Sequence, residues 1–357
     1  MTVSPLKILF AIIVWSILTL SALGVYVWQW LVTERDVFDG DITYVVENGA
    51  SLYAVANDLK DKGALQWPKV WVNYARISDL TAIKAGEYAF NQAESPLSLL
   101  SKLNEGKVVQ YHVTLVEGSS FKSLLAALHA NTKITRTVTR ENVLETLQRE
   151  NVKIDHVEGW FYPDTYHFSL GDTDVSILLR AYEKMKFILA KEWLEKDEGL
   201  PYKNAYEALV MASIVEKETG AAHERSQIAG VFVRRLQKGM RLQTDPTVIY
   251  GMGDSYDGNI RRKDLRTPTP YNTYTIKGLP PTPIAMPGQA AIHAALHPMA
   301  GESLYFVAKG DGTHQFSNSI EAHNKAVREY QKKRRSDYRS SPVKTPEPVA
   351  EAKSDEG

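Results

Sequence analysis

Val45-Val46-Glu47-Asn48-Gly49-Ala50-Ser51 leads directly into Leu52, Val55, Ala56 and Leu59, and this order sets the architecture of the first folded segment. An apolar extended run, a glycine turn, a serine positioned to cap, and apolar residues at i, i+3, i+4 and i+7 predict a strand followed by a helix. Gly63 stands where a helix that has ended needs a left-handed residue. Trp67 to Arg76 predicts a second short helix, and Gly86-Glu87-Tyr88-Ala89-Phe90 a returning strand. A parallel pattern recurs downstream, where Leu115-Val116-Glu117-Gly118-Ser119-Ser120 runs into Phe121, Leu124, Leu125 and Leu128. The fold class expected of these segments is α+β.

The order strand, helix, helix, strand over Ile42 to Phe90 resembles a LysM module, within a segment we bound at residues 40–112. That resemblance implies binding of N-acetylglucosamine-containing glycans; a purely structural spacer is the alternative. On the N-terminal side, Ile8 to Val32 contains 25 residues without a charge, enough to cross a hydrocarbon core of about 30 Å. Lys7 precedes this run, Glu34, Arg35 and Asp36 follow it, and Tyr26, Trp28 and Trp30 crowd its distal end like an interfacial aromatic belt. The positive-inside rule then leaves residues 1–7 on the cytoplasmic side of the inner (plasma) membrane and the body exported across it. A cleaved signal peptide is the rival reading, but its apolar region usually spans only about 7 to 15 residues. At the other end, residues 331–357 are rich in Pro, Ser and charge and poor in large apolar side chains, so disorder is expected.

The remaining body, residues 113–330, is expected to form a larger mixed α/β domain. Glu158 to Tyr166 (EGWFYPDTY) is too aromatic and turn-rich for a helix interior. Val175 to Glu195, Asn204 to Glu218 and Gln227 to Lys238 are helical in period, and Leu304 to Ala308 reads as a strand. Between Arg241 and Pro298 the density of proline predicts turns and short strands around a helical scaffold.

Composition excludes several chemistries. In 357 residues Lys plus Arg and Asp plus Glu are 42 each, so no net field attracts nucleic acid. The absence of cysteine removes disulfides, thiol catalysis and Cys-type metal sites. No HExxH, GxSxG or P-loop is present. His293 and His297 are four apart but lack the intervening Glu, and Pro298 follows directly, which suggests helix-end surface or packing residues. No metal or cofactor is expected. Carboxylates, amides, hydroxyls and aromatic rings remain, the usual surroundings of a carbohydrate.

Ala208-Leu209-Val210-Met211-Ala212-Ser213-Ile214-Val215-Glu216-Lys217-Glu218-Thr219-Gly220 is an apolar helix that ends in two carboxylates. At about 100° per residue, Glu218 lies within about 60° of Met211, Ile214 and Val215, whereas Glu216 points about 160° away. Burial and the negative end of the helix dipole both disfavour a charged Glu218 and raise its pKa. A carboxyl kept protonated near neutral pH is what a general acid needs. Two solvated acids at a frayed helix end would produce the same local sequence.

ASIVEKET (212–219), EGWFYPDTY (158–166), VFVRRLQKGMRLQTDPTVIY (231–250), YNTYTIKGLPPTPI (271–284) and LYFVAKGDGTHQFSNSIEAHN (304–324) together resemble the YceG-like family of endolytic murein transglycosylases. The likeness runs from the membrane anchor to about Tyr330. It implies cleavage of the β-1,4 bond between N-acetylmuramic acid and N-acetylglucosamine in nascent peptidoglycan without water, association with penicillin-binding synthases, and catalysis by the second Glu of E-K-E-T, here Glu218. Gln243, Asp245, Tyr250, Tyr271, Asn272 and Tyr274 are the expected substrate-binding set, since aromatic faces stack on pyranose rings and amides pair with N-acetyl groups. Glu158, Tyr162 and His314 are weaker candidates. A hydrolytic muramidase would need a second acid, for which Glu158, Asp164 and Asp245 are available; Asp245 is also explained by an Asx-type turn before Pro246. Arg261, Arg262, Lys263 and Arg266 form a basic loop, either solvated or facing the substrate's anionic groups. A third reading is a non-catalytic peptidoglycan-binding scaffold in which Glu218 only packs.

Overall fold

The computed structural model of the chain describes residues 4–331; all but the first residue of the expected disordered tail, and residues 1–3 of the cytoplasmic segment, lie outside them. The chain divides into two compact units. One takes the chain up to His112 together with His167–Asp172, and the other takes Val113–Tyr166 and the chain from Thr173 onward.

The first unit begins with α1 (Pro5–Val32), whose stretch Leu6–Val32 is long and apolar enough to cross a membrane. There follow β1 (Arg35–Asp36), β2 (Ile42–Val46), α2 (Leu52–Asp61), α3 (Pro68–Ile77), β3 (Gly86–Phe90), β4 (Ala93–Glu94), α4 (Pro96–Glu105) and the first half of β5 (Tyr111–Thr114). Strands β2 and β3 pair antiparallel with Tyr44 opposite Tyr88. The turn and cap chemistry read from the sequence is present: Gly49 takes φ +80°, the Ser51 hydroxyl accepts from Ala54 N–H at 3.1 Å, and Gly63 takes φ +80° just past α2. Trp71, Tyr88, Phe90 and Leu99 fill the core under the two-stranded sheet. Expected to lie in an interfacial belt, Trp30 is instead buried in this core, its ring centroid 4.9 Å from that of Trp67. Trp28 and Tyr26 stay exposed. The apolar helix therefore runs into the folded unit without a flexible spacer.

The second unit contains α5 (Phe121–Ala130), α6 (Val143–Arg149), the first half of β6 (Thr165–Phe168), α7 (Asp174–Glu195), α8 (Ala205–Glu218), α9 (Arg225–Gln237), α10 (Asp245–Met252), α11 (Gln289–Leu296), β7 (Tyr305–Ala308), β8 (His314–Ser317) and α12 (Ile320–Tyr330). Its centre is α8, which packs against α7, α9, α10 and α11. Every residue from Ala208 to Val215 is buried, so this helix has no solvent face until its last turn. Asn204 caps its start by accepting from Glu207 N–H at 3.0 Å. The proline-rich region departs from expectation: it builds α10 and α11, and no strand appears before Tyr305. Pro246 sits in the first turn of α10, where the missing N–H has no helical partner to lose. Strands β7 and β8 form a hairpin whose Phe306 ring packs edge-on against Phe232 of α9.

Candidate active site

The last turn of α8 leaves the core and sends its two carboxylates to different surroundings. Glu216 accepts from Gly288 N–H at 3.1 Å and lies 3.8 Å from the Arg225 guanidinium. Glu218 instead accepts from the Thr244 hydroxyl at the N-terminal end of α10. Burial pushes the Glu218 carboxyl up to about 7; the Thr244 hydrogen bond opposes this and the neighbouring Asp245 charge adds to it. Glu216 is raised as well, chiefly by burial.

Thr244 owes its position to the backbone around it. The preceding Gln243 sits at φ +54°, a left-handed conformation costly for a side chain with a Cβ. That geometry is held by Gln243 N–H donating to Thr273 O at 3.2 Å, Thr244 N–H to the Thr273 hydroxyl at 3.0 Å, and the Thr247 hydroxyl to Thr244 O at 2.8 Å. Arg235 of α9 clamps the same loop. It is buried, with Nη1 donating to Arg241 O at 3.1 Å and Leu242 O at 2.7 Å, and Nε to Leu304 O at 2.6 Å. Carbonyl dipoles thus take the place of a counter-ion.

Around Glu218 the expected residues separate into two kinds. Asp245 and Gln243 are exposed, and the Asp245 carboxylate accepts from the Tyr274 hydroxyl at 2.6 Å. This contact, with Asp245 as the first residue of α10, replaces the Asx-turn explanation. Burial and the Asp245 charge hold the Tyr274 phenol well above its ordinary pKa, so it stays a neutral donor. Tyr250 and Tyr271 are partly exposed and meet edge-on at 4.8 Å, with the Tyr271 hydroxyl 2.8 Å from that of Thr282. Asn272 departs from expectation. It is buried, its Nδ2 donates to Asp264 O at 3.0 Å and Thr267 O at 2.7 Å, and its Oδ1 accepts from Tyr274 N–H at 2.9 Å. With every polar atom engaged it shapes the loop that presents Tyr271 and Tyr274, and has none left for a ligand.

Of the further acids, Glu158 is buried, accepts from Phe121 N–H at 2.9 Å and from the Tyr250 hydroxyl at 3.0 Å, and is pushed by burial up to about 7. Asp164 is half-buried beside Lys184, whose hydrogen bond holds it below the ordinary carboxylate range. The Lys184 ammonium also lies 4.9 Å from the Tyr162 ring centroid. His314 is buried on β8, with Nδ1 2.7 Å from Glu224 and its N–H donating to the other oxygen of Glu224 at 2.9 Å. It therefore ties the turn after Glu218 to the hairpin. In the basic loop Arg261 pairs with Asp257 at 2.5 Å, and Arg262, Lys263 and Arg266 are exposed.

Thr244, Thr273, Arg235 and Glu224 are the site residues that sequence reasoning did not find. No periodicity marks them, because each acts through a partner at least six residues away. Only T-D-P before an apolar helix, an N-cap followed by an acid and a first-turn proline, carried a signal for Thr244.

The YceG-like family matches this chain over residues 44–329. The endolytic murein transglycosylase of Bacillus subtilis (strain 168) is 32% identical over 305 residues, which cover 80% of this chain and 83% of that protein. The protein of the same name from Streptococcus pneumoniae (strain D39) is 26% identical over 350 residues, covering 87% of this chain; the chain spans only 63% of its length. A crystal structure of a YceG-like protein from Listeria monocytogenes shares 31% identity, with a TM-score of 0.49, over 80% of this chain and 98% of that one. On the strength of the family match along most of its length, the chain belongs to the YceG-like family.

Proposed function

We propose that this protein is a membrane-anchored lytic transglycosylase. It cuts the MurNAc-β-1,4-GlcNAc bond within peptidoglycan strands and leaves 1,6-anhydro-MurNAc ends. The observation that carries this reading is the Glu218 carboxyl, raised to about 7 and hydrogen-bonded by Thr244. The names of the bacillary and streptococcal relatives supply the substrate class.

Glu218 in its protonated form gives its proton to the glycosidic oxygen as the bond from that oxygen to the muramyl C1 breaks. Positive charge develops at C1 and the ring oxygen. The Glu218 carboxylate then takes the proton from the C6 hydroxyl of the same sugar, whose oxygen closes on C1. No water is consumed, and Glu218 ends protonated, ready for the next turnover. A pKa near the working pH suits a group that must both give and receive a proton. Asp245 supports the chemistry by disfavouring a second negative charge at Glu218 before the reaction and by attracting the developing cation during it. Gln243, Tyr274, Tyr250 and Tyr271 flank the strand, the tyrosines offering ring faces and hydroxyls. The anchor α1 and a LysM-like reading of the first unit fit an enzyme that works on strands close to the outer leaflet, where penicillin-binding synthases release them.

Asp245 beside Glu218 also gives a hydrolytic mechanism its best second carboxylate, and product mass separates the two. Full-length protein in detergent is incubated with peptidoglycan, and the released ends are weighed. Ends lighter by one water than reducing muramyl ends are expected. Reducing ends would assign the hydrolase, and no cleavage the scaffold. Glu218→Gln is expected to abolish cleavage, and full activity in that variant would remove Glu218 from the mechanism.

A further inference from the structure

Among the described residues, Glu192, His293 and His297 bring one donor atom each to within 4.8 Å of one another. Glu192 stands in the last turn of α7, His293 in the last turn of α11, and His297 is the residue that ends α11. From this convergence we infer a binding site for a divalent transition-metal cation, with zinc as its representative, built between α7 and α11 and separate from Glu218.

Four features favour a cation here over two unrelated ion pairs. First, Glu192 is buried, its Oε1 taken by the Gln289 amide at 3.0 Å and its Oε2 2.8 Å from His293 Nδ1. The carboxylate is thereby held with one oxygen aimed at the histidines. Second, His297 Nδ1 lies 2.9 Å from the Asp197 carboxylate. That contact fixes Nδ1 as the donor and leaves Nε2 as the free ligand atom, the carboxylate–histidine arrangement that orients imidazoles toward zinc. Third, the two imidazole rings lie with centroids 4.3 Å apart, close enough for one ion to reach a nitrogen of each. Fourth, α7 and α11 both end here, and the negative ends of two helix dipoles favour a positive ion.

Two His and one Glu with an open fourth position for water is an established zinc donor set, and it needs ligand atoms about 3.3 Å apart for metal–nitrogen bonds of about 2.0–2.1 Å. The His293 side chain is 57% exposed and free to turn, so the ion enters from solvent and the His293–Glu192 hydrogen bond opens to admit it. The four-residue spacing of the histidines could not reveal the site in the sequence, because the third ligand comes from a helix about a hundred residues earlier. The cation would tie α7 to α11, whose first turn abuts the Gly288 N–H that holds Glu216.

The test uses tag-free full-length protein in detergent, stripped with EDTA and dialysed, then titrated with Zn²⁺ by calorimetry and by thermal melting. Expected are one tight site per chain and a rise in Tm on saturation. Glu192→Gln and His297→Ala should each lose at least tenfold in affinity. Asp197→Asn, which touches only the orienting carboxylate, should lose roughly 10- to 100-fold. His223→Ala, a histidine 74% exposed and outside the trio, should bind as the parent does. If His297→Ala fails to fold, His293→Ala serves in its place, since that side chain lies largely in solvent. The inference is overturned if the parent shows no stoichiometric Zn²⁺ binding, or if these ligand variants bind with unchanged affinity.

Discussion

Replacing Glu218 with Gln should make the protein more stable at alkaline pH and leave it nearly unchanged in acid. The unfolded chain ionises this carboxyl at about 4.5, whereas the folded site holds it to about 7. A folded pKa raised above the unfolded one favours the native state only while the group is protonated in both states. Below pH 4.5 Glu218 therefore contributes no penalty. As pH rises the unfolded chain loses its proton first, and the penalty grows until it levels off above the folded value near 7. At about 1.4 kcal/mol per unit, this shift corresponds to roughly 3 kcal/mol, and residual solvent contact at the partly exposed side chain trims it to about 2–3 kcal/mol. Gln keeps an oxygen to accept from Thr244 and has no proton to lose, so the variant escapes the penalty. In the second unit this amounts to a Tm difference of roughly 5–10 °C. Calorimetric melts of both full-length proteins at pH 4.5, 6, 7 and 8.5 read it directly. Glu158, raised to about 7 in the same window, is common to both proteins and cancels in the difference. Stability curves that run parallel across this range would refute the claim that Glu218 is held protonated by burial, independently of any statement about activity.

Thr244→Val removes the hydrogen bond that favours the Glu218 carboxylate, so the alkaline limb of the kcat/KM profile for peptidoglycan cleavage should move above pH 7 by about one unit. Asp245→Asn removes the repelling charge and should move the same limb down; a limb unmoved in both variants would detach these groups from the titration. Asn272→Ala leaves the Thr267 carbonyl and the Tyr274 N–H without partners, takes one of two donors from the Asp264 carbonyl, and should cost about 2–4 kcal/mol in denaturant unfolding while lowering activity through displaced Tyr271 and Tyr274. Gly159→Ala should destabilise by about 1–3 kcal/mol, because φ is +83° and a Cβ would meet the Pro283 ring at 2.5 Å, whereas at Gly288 the obstructing atom is the end of the flexible Glu117 side chain and Ala should be tolerated.

Local chemistry made much of the fold legible. A cap, a glycine turn and a 3.6-residue period are short-range signals, and Ser51, Gly49 and Gly63 act where the sequence places them. The long helices α7, α8 and α9 were readable for the same reason. What escaped depends on distant partners. Proline density suggested strands between Arg241 and Pro298, yet Pro246 opens a helix because its cost is nil in a first turn. Trp30 looked like an interfacial anchor since nothing in its neighbourhood foretells Trp67, which covers it. Asn272 read as a sugar ligand because its residue type fits one; only the three contacts it makes show it to be structural.

The choice between Glu216 and Glu218 turns on their surroundings more than on the helical wheel. The helical wheel favoured Glu218 as an extension of one apolar stripe, but α8 is buried on all sides through Val215, so no stripe exists to extend. Both carboxylates leave the core desolvated, and what separates them is what each meets there. Glu216 meets the Gly288 N–H and the Arg225 guanidinium, a donor and a cation that partly offset its burial and the nearby Glu117 carboxylate. Glu218 meets one hydroxyl and another carboxylate, Asp245, so nothing nearby fully compensates its charge. A carboxyl that must release its proton and take one back within a single turnover needs that balance: enough hydrogen bonding to make the anion attainable, and too little to make it the resting state.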